Sequence, residues 1–131
     1  MPLTIITLRK GKSPEYLAAL SEGIHDALTR HFEVPADDRF QLFDEKDEHA
    51  MVIDRHYRGG PRTGDFVLVR ISAGKVRNTA TRQTFYRRLA ERLALSPGLD
   101  PENLMIIIHT NTGEEWSFGG GRMAALEDTP C

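Results

Sequence analysis

An α/β fold made of two strand, helix, strand units is predicted for this chain, and three observations carry the prediction. Apolar strands at Leu3–Leu8 and Phe66–Ile71 are each followed by a Gly-Lys turn (Gly11-Lys12, Gly74-Lys75) and then by an amphipathic helix. Each helix gives way to a proline, acidic residues and another strand, at Pro35-Ala36-Asp37 and at Pro101-Glu102. The intervals match as well: Gly11 to Pro35 is 24 residues and Gly74 to Pro101 is 27. Two such βαβ units, about residues 1–45 and 65–110, are expected to share one four-stranded mixed sheet with both helices on one face. The chain of 131 residues, 40% hydrophobic and 27% charged, fits a single domain spanning 1–131, with a loop between the units and an aromatic and glycine-rich tail. One layer of two helices cannot cover both sides of a sheet, so the bare side predicts a homo-oligomer.

Taken in order, the first strand runs from Leu3 to Leu8 and Arg9-Lys10-Gly11-Lys12 turns the chain. Ser13 suits an N-cap, Pro14 the first helical position and Glu15 the positive end of the helix dipole. Leu17, Leu20, Ile24, Leu28 and Phe32 recur on one helical face, and the helix should stop before Val34-Pro35. A second strand is expected from Arg39 to Phe43, then a solvated charged turn at Asp44–Glu48 and a short strand at Met51–Ile53. Arg55 to Gly64 reads as a loop by its glycine and proline content. Phe66–Ile71 has the character of a central strand, apolar on both faces apart from Arg70. Asn78 or Thr79 can cap the second helix, whose apolar face runs through Phe85, Leu89 and Leu93, with Tyr86 and Ala90 beside it. Ser96 to Pro101 ends that helix, and Leu104–Ile108 forms a buried strand.

Net charge is −2, from 17 basic and 19 acidic residues that are closely interspersed. Such a balance gives no field that would draw the chain to nucleic acid or an anionic membrane, and no run is long enough to cross a bilayer. Even the arginine- and glycine-bearing loop at 55–64 reads as solvated rather than as a phosphate-backbone site. The single cysteine is Cys131, so no internal disulfide is expected, and no basic region with a long apolar run opens the chain. A cytoplasmic setting is the simplest expectation. The five histidines show no ligand spacing, so neither a metal nor another cofactor is expected.

The position with distinctive chemistry is Pro2. Removal of Met1, expected when a small residue follows, would give Pro2 a terminal secondary amine, whereas an internal proline has no ionisable nitrogen. If the first strand and the Phe66–Ile71 strand pair antiparallel, Pro2 and the Lys75-Val76-Arg77 turn come to the same edge of the sheet.

The strand-initial Pro2, the duplicated βαβ chain, Pro35-Ala36-Asp37-Asp38-Arg39, Lys75-Val76-Arg77, Phe85-Tyr86 and Trp116-Ser117-Phe118-Gly119 together resemble the tautomerase superfamily, and within it the malonate semialdehyde decarboxylase branch. The resemblance covers nearly the whole chain. It implies that the N-terminal proline is the central catalytic group and that the protein assembles as a trimer. It also implies that an aspartate just before the second strand assists, and that two arginines one residue apart hold the substrate carboxylate. Asp38 matches that aspartate and Arg77 the second arginine, while Lys75 stands where the first would be. Lysine offers a compact charge in place of a planar fork, which bears on the substrate more than on the superfamily. Trp116 and Phe118 match the aromatic wall over the site.

These residues suit two reactions on a small oxo-carboxylic acid. A neutral Pro2 amine would serve as general base in keto-enol tautomerisation, and a cationic one would polarise a carbonyl in decarboxylation. Burial and the cations Lys75 and Arg77 favour the neutral form, and Asp38 the charged one. Dehalogenation or hydration of a small unsaturated acid, with Asp38 aiding water, is an alternative, as is a non-catalytic small-ligand-binding domain.

Overall fold

The computed structural model describes residues 2–124; Met1 and Cys131 both lie outside the described residues. Four strands form one sheet in the order β2-β1-β3-β4. β1 (Pro2–Arg9) and β2 (Gln41–Lys46) are parallel and joined through helix α1 (Pro14–His31). β3 (Val67–Ala73) and β4 (Leu104–Thr110) are parallel and joined through α2 (Thr79–Leu95). The two units meet where β1 and β3 pair antiparallel, with Pro2 opposite Ala73 and Leu8 opposite Val67. The mixed sheet expected from the repeat is therefore present, with the first strand of each unit at its centre.

Local chemistry sets the helix limits. The Tyr16 amide donates to Ser13 Oγ at 3.1 Å and the Thr81 amide to Asn78 Oδ1 at 2.8 Å, satisfying donors that a first helical turn leaves open. At the far end of α1, the amides of Phe32 and Val34 both donate to the Leu28 carbonyl, with Glu33 between them in the left-handed region (φ 56°).

Alternation along the strands selects the core face. Thr4, Ile6 and Leu8 of β1 and Val67, Val69, Ile71 and Ala73 of β3 are buried against Leu20, Ile24, Leu28, Phe85, Leu89 and Leu93 of the helices. The helices approach closely at Gly23, where a methyl group would stand 2.6 Å from Leu93 Cδ2. The opposite side of the sheet has no helix. It presents Leu42 (58% exposed), Met105 (52%) and Ile107 together with Asp44, Arg70 and Arg9. Two guanidinium nitrogens on this side, Arg9 Nε and Arg70 Nε, are buried without a hydrogen-bond partner among the described residues.

Four sequence expectations are corrected, one of them that Leu104–Ile108 is a buried strand: Met105 and Ile107 of β4 are exposed on the bare side. β2 begins at Gln41 and continues through Asp44, Glu45 and Lys46, which the charge run had assigned to a turn. Parallel pairing with β1 as far as Arg9 opposite Lys46 carries the strand on, and Asp44 accepts a hydrogen bond from Thr7 Oγ1 at 3.1 Å. Met51–Ile53 forms no strand and lies in the connection to β3. β3 is not apolar on both faces: Leu68, Arg70 and Ser72 alternate with its buried residues, as in a sheet with one covered side. No helix among the described residues is long and apolar enough to cross a membrane.

Candidate active site

The topology gathers four chain segments at one end of the sheet. β1 and β2 start there and β3 and β4 finish there, so the segments before β2 and after β3 and β4 all flank Pro2. Backbone bonds hold this edge together: the Thr4 amide donates to the Phe40 carbonyl at 2.9 Å, and the Asn111 amide to the Ala73 carbonyl at 2.8 Å. Pro2, paired with Ala73, is buried at the centre of the edge. Proline suits the first position of a strand because its missing N–H removes no inner ladder bond.

Asp38 lies in the turn ahead of β2, half-buried, with its amide donating to the Pro35 carbonyl at 3.1 Å. The turn is fixed from below by His25, a buried residue of α1 whose Nε2 donates to the Ala36 carbonyl at 2.8 Å. Arg39 ties the same turn to α1 through Glu22 at 2.7 Å.

The two cations after β3 are held differently. Arg77 is only 4% exposed and stacks on Phe32, with its guanidinium carbon 4.4 Å from the ring centroid. Its Nε donates to the Phe32 carbonyl at 3.1 Å and its Nη1 to the Lys75 carbonyl at 2.8 Å. That geometry fixes the plane of the fork and the path of the turn. Lys75 is exposed and its ammonium lies 3.5 Å from Glu33 Oε2, an ion pair that solvent weakens. Lys75 is thus the more accessible charge of the two.

Trp116 and Phe118 stack with centroids 5.3 Å apart and planes inclined by 11°, and Phe40 joins Phe118 at 5.9 Å. Trp116 is half-buried, whereas Phe118 and Phe40 are exposed, so the pair forms a surface wall and not a core contact. The indole Nε1 donates to Asn111 Oδ1, which ties the wall to the end of β4. The structure therefore brings all six expected residues, Pro2, Asp38, Lys75, Arg77, Trp116 and Phe118, to one edge. His25, Phe40 and Asn111 were missed.

Among the described residues, no three histidine, cysteine, aspartate or glutamate side chains come together as a metal would require. The arrangement instead combines a buried strand-initial proline, a carboxylate, two cations and an apolar wall. Such a set can bind a small carboxylate and move a proton beside it.

Family profiles described as "Tautomerase enzyme" match residues 38–119 and residues 2–57. The chain is 32% identical over 127 residues to the probable tautomerase YusQ of Bacillus subtilis (strain 168), covering 97% of this chain and 100% of that protein. Its fold is similar to a solved malonate semialdehyde decarboxylase, with a TM-score of 0.88 and 27% identity over 95% of each chain. A fused 4-OT wild type symmetric trimer has the same fold at a TM-score of 0.80 and 15% identity, covering 97% of this chain and 99% of that one.

Proposed function

Because the chain belongs to the tautomerase family, we propose that it catalyses keto-enol tautomerisation of a small oxo-carboxylic acid, with Pro2 as the proton-transferring group once Met1 is removed. The observation that carries this reading is the burial of Pro2 at the edge where Asp38, Lys75, Arg77 and the Trp116 and Phe118 wall converge.

In this mechanism the neutral Pro2 amine removes the hydroxyl proton of the enol, and the resulting ammonium delivers a proton to the neighbouring carbon. The amine is regenerated and no net proton is consumed. Burial of Pro2 disfavours its charged form, and Lys75 and Arg77 act in the same direction. Lys75 takes the substrate carboxylate by displacing Glu33, while Arg77, oriented by two carbonyls, adds its charge to the same anion site. Asp38 stabilises the Pro2 ammonium as it forms, and the rings of Trp116 and Phe118 exclude water from the carbon that gains hydrogen. The protein works as a homotrimer packed through the bare side of the sheet. Its exposed apolar residues and the unpartnered Arg70 Nε support that assembly.

A second reading, decarboxylation of a malonate semialdehyde-like 3-oxo acid, is favoured by the similarity to that decarboxylase over 95% of the chain. Here a cationic Pro2 polarises the carbonyl and Lys75 orients the carboxylate. The bond to the carboxylate carbon breaks, its electron pair forms the enol, and CO2 departs. Assays with phenylpyruvate enol and with malonate semialdehyde separate the two. Pro2→Ala should lose about 100-fold or more of whichever activity the wild type has. Activity that survives the substitution would overturn both readings.

A further inference from the structure

The sheet has a second functional end. Opposite the Pro2 edge, β1 finishes at Arg9 and β3 begins after Gly64-Asp65-Phe66, and a cavity of about 270 Å³ opens between them and the 51–66 connection. Three arginines line it, Arg9, Arg55 and Arg62, with an apolar wall of Met51, Ile53 and Phe66. We propose that this cavity binds a small oxyanion of charge two or more, a phosphate or dicarboxylate group held by the three guanidinium groups.

Among the described residues no ion pair joins Arg9, Arg55 or Arg62 to a carboxylate, although Glu102 Oε1 lies beside Arg62 Nη2 at Gly59. Arg9 Nε is buried without a hydrogen-bond partner, and its guanidinium lies against Gly64, where a methyl group would stand 2.4 Å from Nη1. Arg62 Nη1 donates to the Asp54 carbonyl at 3.1 Å, a neutral acceptor. The nearby carboxylates are engaged elsewhere. Asp65 pairs with Lys12, Asp54 Oδ1 accepts from the amides of His56 and Tyr57, and Glu102 Oε1 accepts from the Gly60 amide. Arg9 and Arg62 are half-buried and Arg55 is exposed; guanidinium groups facing one cavity repel each other unless an anion joins them, and planar forks suit carboxylate and phosphate oxygens.

The loop that presents them is built and not slack. Buried Asn103 clamps Thr63 twice, accepting from its amide at 2.8 Å and donating to its hydroxyl at 2.9 Å. The Arg62 amide donates to the Arg55 carbonyl at 3.0 Å, setting the two arginines beside each other. Between them Gly60 has φ 108°, and a Cβ there would collide with the Arg55 carbonyl oxygen.

The internal repeat explains the position. An offset of 63 residues superposes Gly11-Lys12 on Gly74-Lys75 and places Asp65 where Pro2 stands. In that counterpart site the proline is replaced by a carboxylate that Lys12 neutralises and Arg77 by Pro14, so neither the amine nor the cation pair of the Pro2 edge is repeated there. This site is separate from the Pro2 edge, so its failure would leave the proposed reaction untouched.

Calorimetric titration of the full chain with inorganic phosphate and, separately, with succinate tests the proposal, with sedimentation run on the same samples. At least one of the two should bind at one site per chain. Arg55→Gln and Arg62→Gln should each weaken binding about tenfold or more, the worth of one charge-assisted bidentate contact, with the assembly unchanged. Binding of phosphate alone would identify a phosphoryl group and of succinate alone a dicarboxylate. Binding of neither, affinity unaltered in both variants, or dissociation of the assembly in their place would overturn it.

Discussion

Lys75 and Glu33 show how single residues set the behaviour of the Pro2 edge. Their exposed pair is worth up to about 1 kcal/mol, so a substrate carboxylate must compete with Glu33 for the ammonium. Glu33→Gln should therefore lower KM for a carboxylate substrate by about fivefold or less, with kcat little changed. Lys75→Ala should raise KM; steady-state kinetics on the two variants checks both signs, and opposite shifts would remove Lys75 from substrate binding. At this scale the sequence was informative where a residue's chemistry is its own. Pro2 and the Lys75-Val76-Arg77 turn are brought together by strand pairing, while the roles of Asp38, Lys75 and Arg77 came from the resemblance to the tautomerase superfamily. His25, Phe40 and Asn111 carried no such signal, because each acquires its role from a partner that only the fold supplies, the Ala36 carbonyl, Phe118 and the Trp116 indole. Phe118, matched to the wall, is exposed, and hydrophobicity alone does not tell a wall from an interior.

The helices are held to each other by one tight contact and one shared charge. Gly23→Ala would drive a methyl group into Leu93 and should cost about 1–3 kcal/mol, read as a lower denaturant midpoint. An unchanged midpoint would mean that α2 shifts freely. Asp26 of α1 bonds Arg30 at 2.7 Å and Arg92 of α2 at 3.4 Å. Partial burial alone would raise its pKa, but the two arginines together outweigh that and hold it below the ordinary carboxylate value. The sign follows: the folded pKa is lowered, so the stabilisation is present above the unfolded value of about 4 and is lost as pH falls through the folded one. Asp26→Asn should flatten the stability profile below about pH 4, and a profile as steep as wild type would exclude the bridge. The helices were legible because caps and a 3.6-residue period are local signals, as Ser13 and Asn78 show. β2 was not, because its charged half is a strand only through pairing with β1.

For the whole molecule the decisive feature is the bare side of the sheet. Its repeat-derived topology was readable from the two Gly-Lys turns and the two prolines, and the need for a partner followed from counting layers. What the sequence withheld was the polar content of that side, where Arg70 lies 4.0 Å from Asp44 amid Leu42, Met105 and Ile107. Ile107→Glu would put a charge into the proposed contact between copies and should shift the protein from trimer to monomer in sedimentation. A trimer of unaltered stability would place the contact elsewhere.

Assembly matters to function only if the Pro2 amine exists, and an NMR titration of the Pro2 ring signals tests that most directly. The account predicts a terminal proline whose amine is largely neutral at about pH 7 and titrates in parallel with the enol ketonisation rate. A Pro2 locked in an amide bond to a retained Met1, or an amine still fully protonated at that pH, would contradict it.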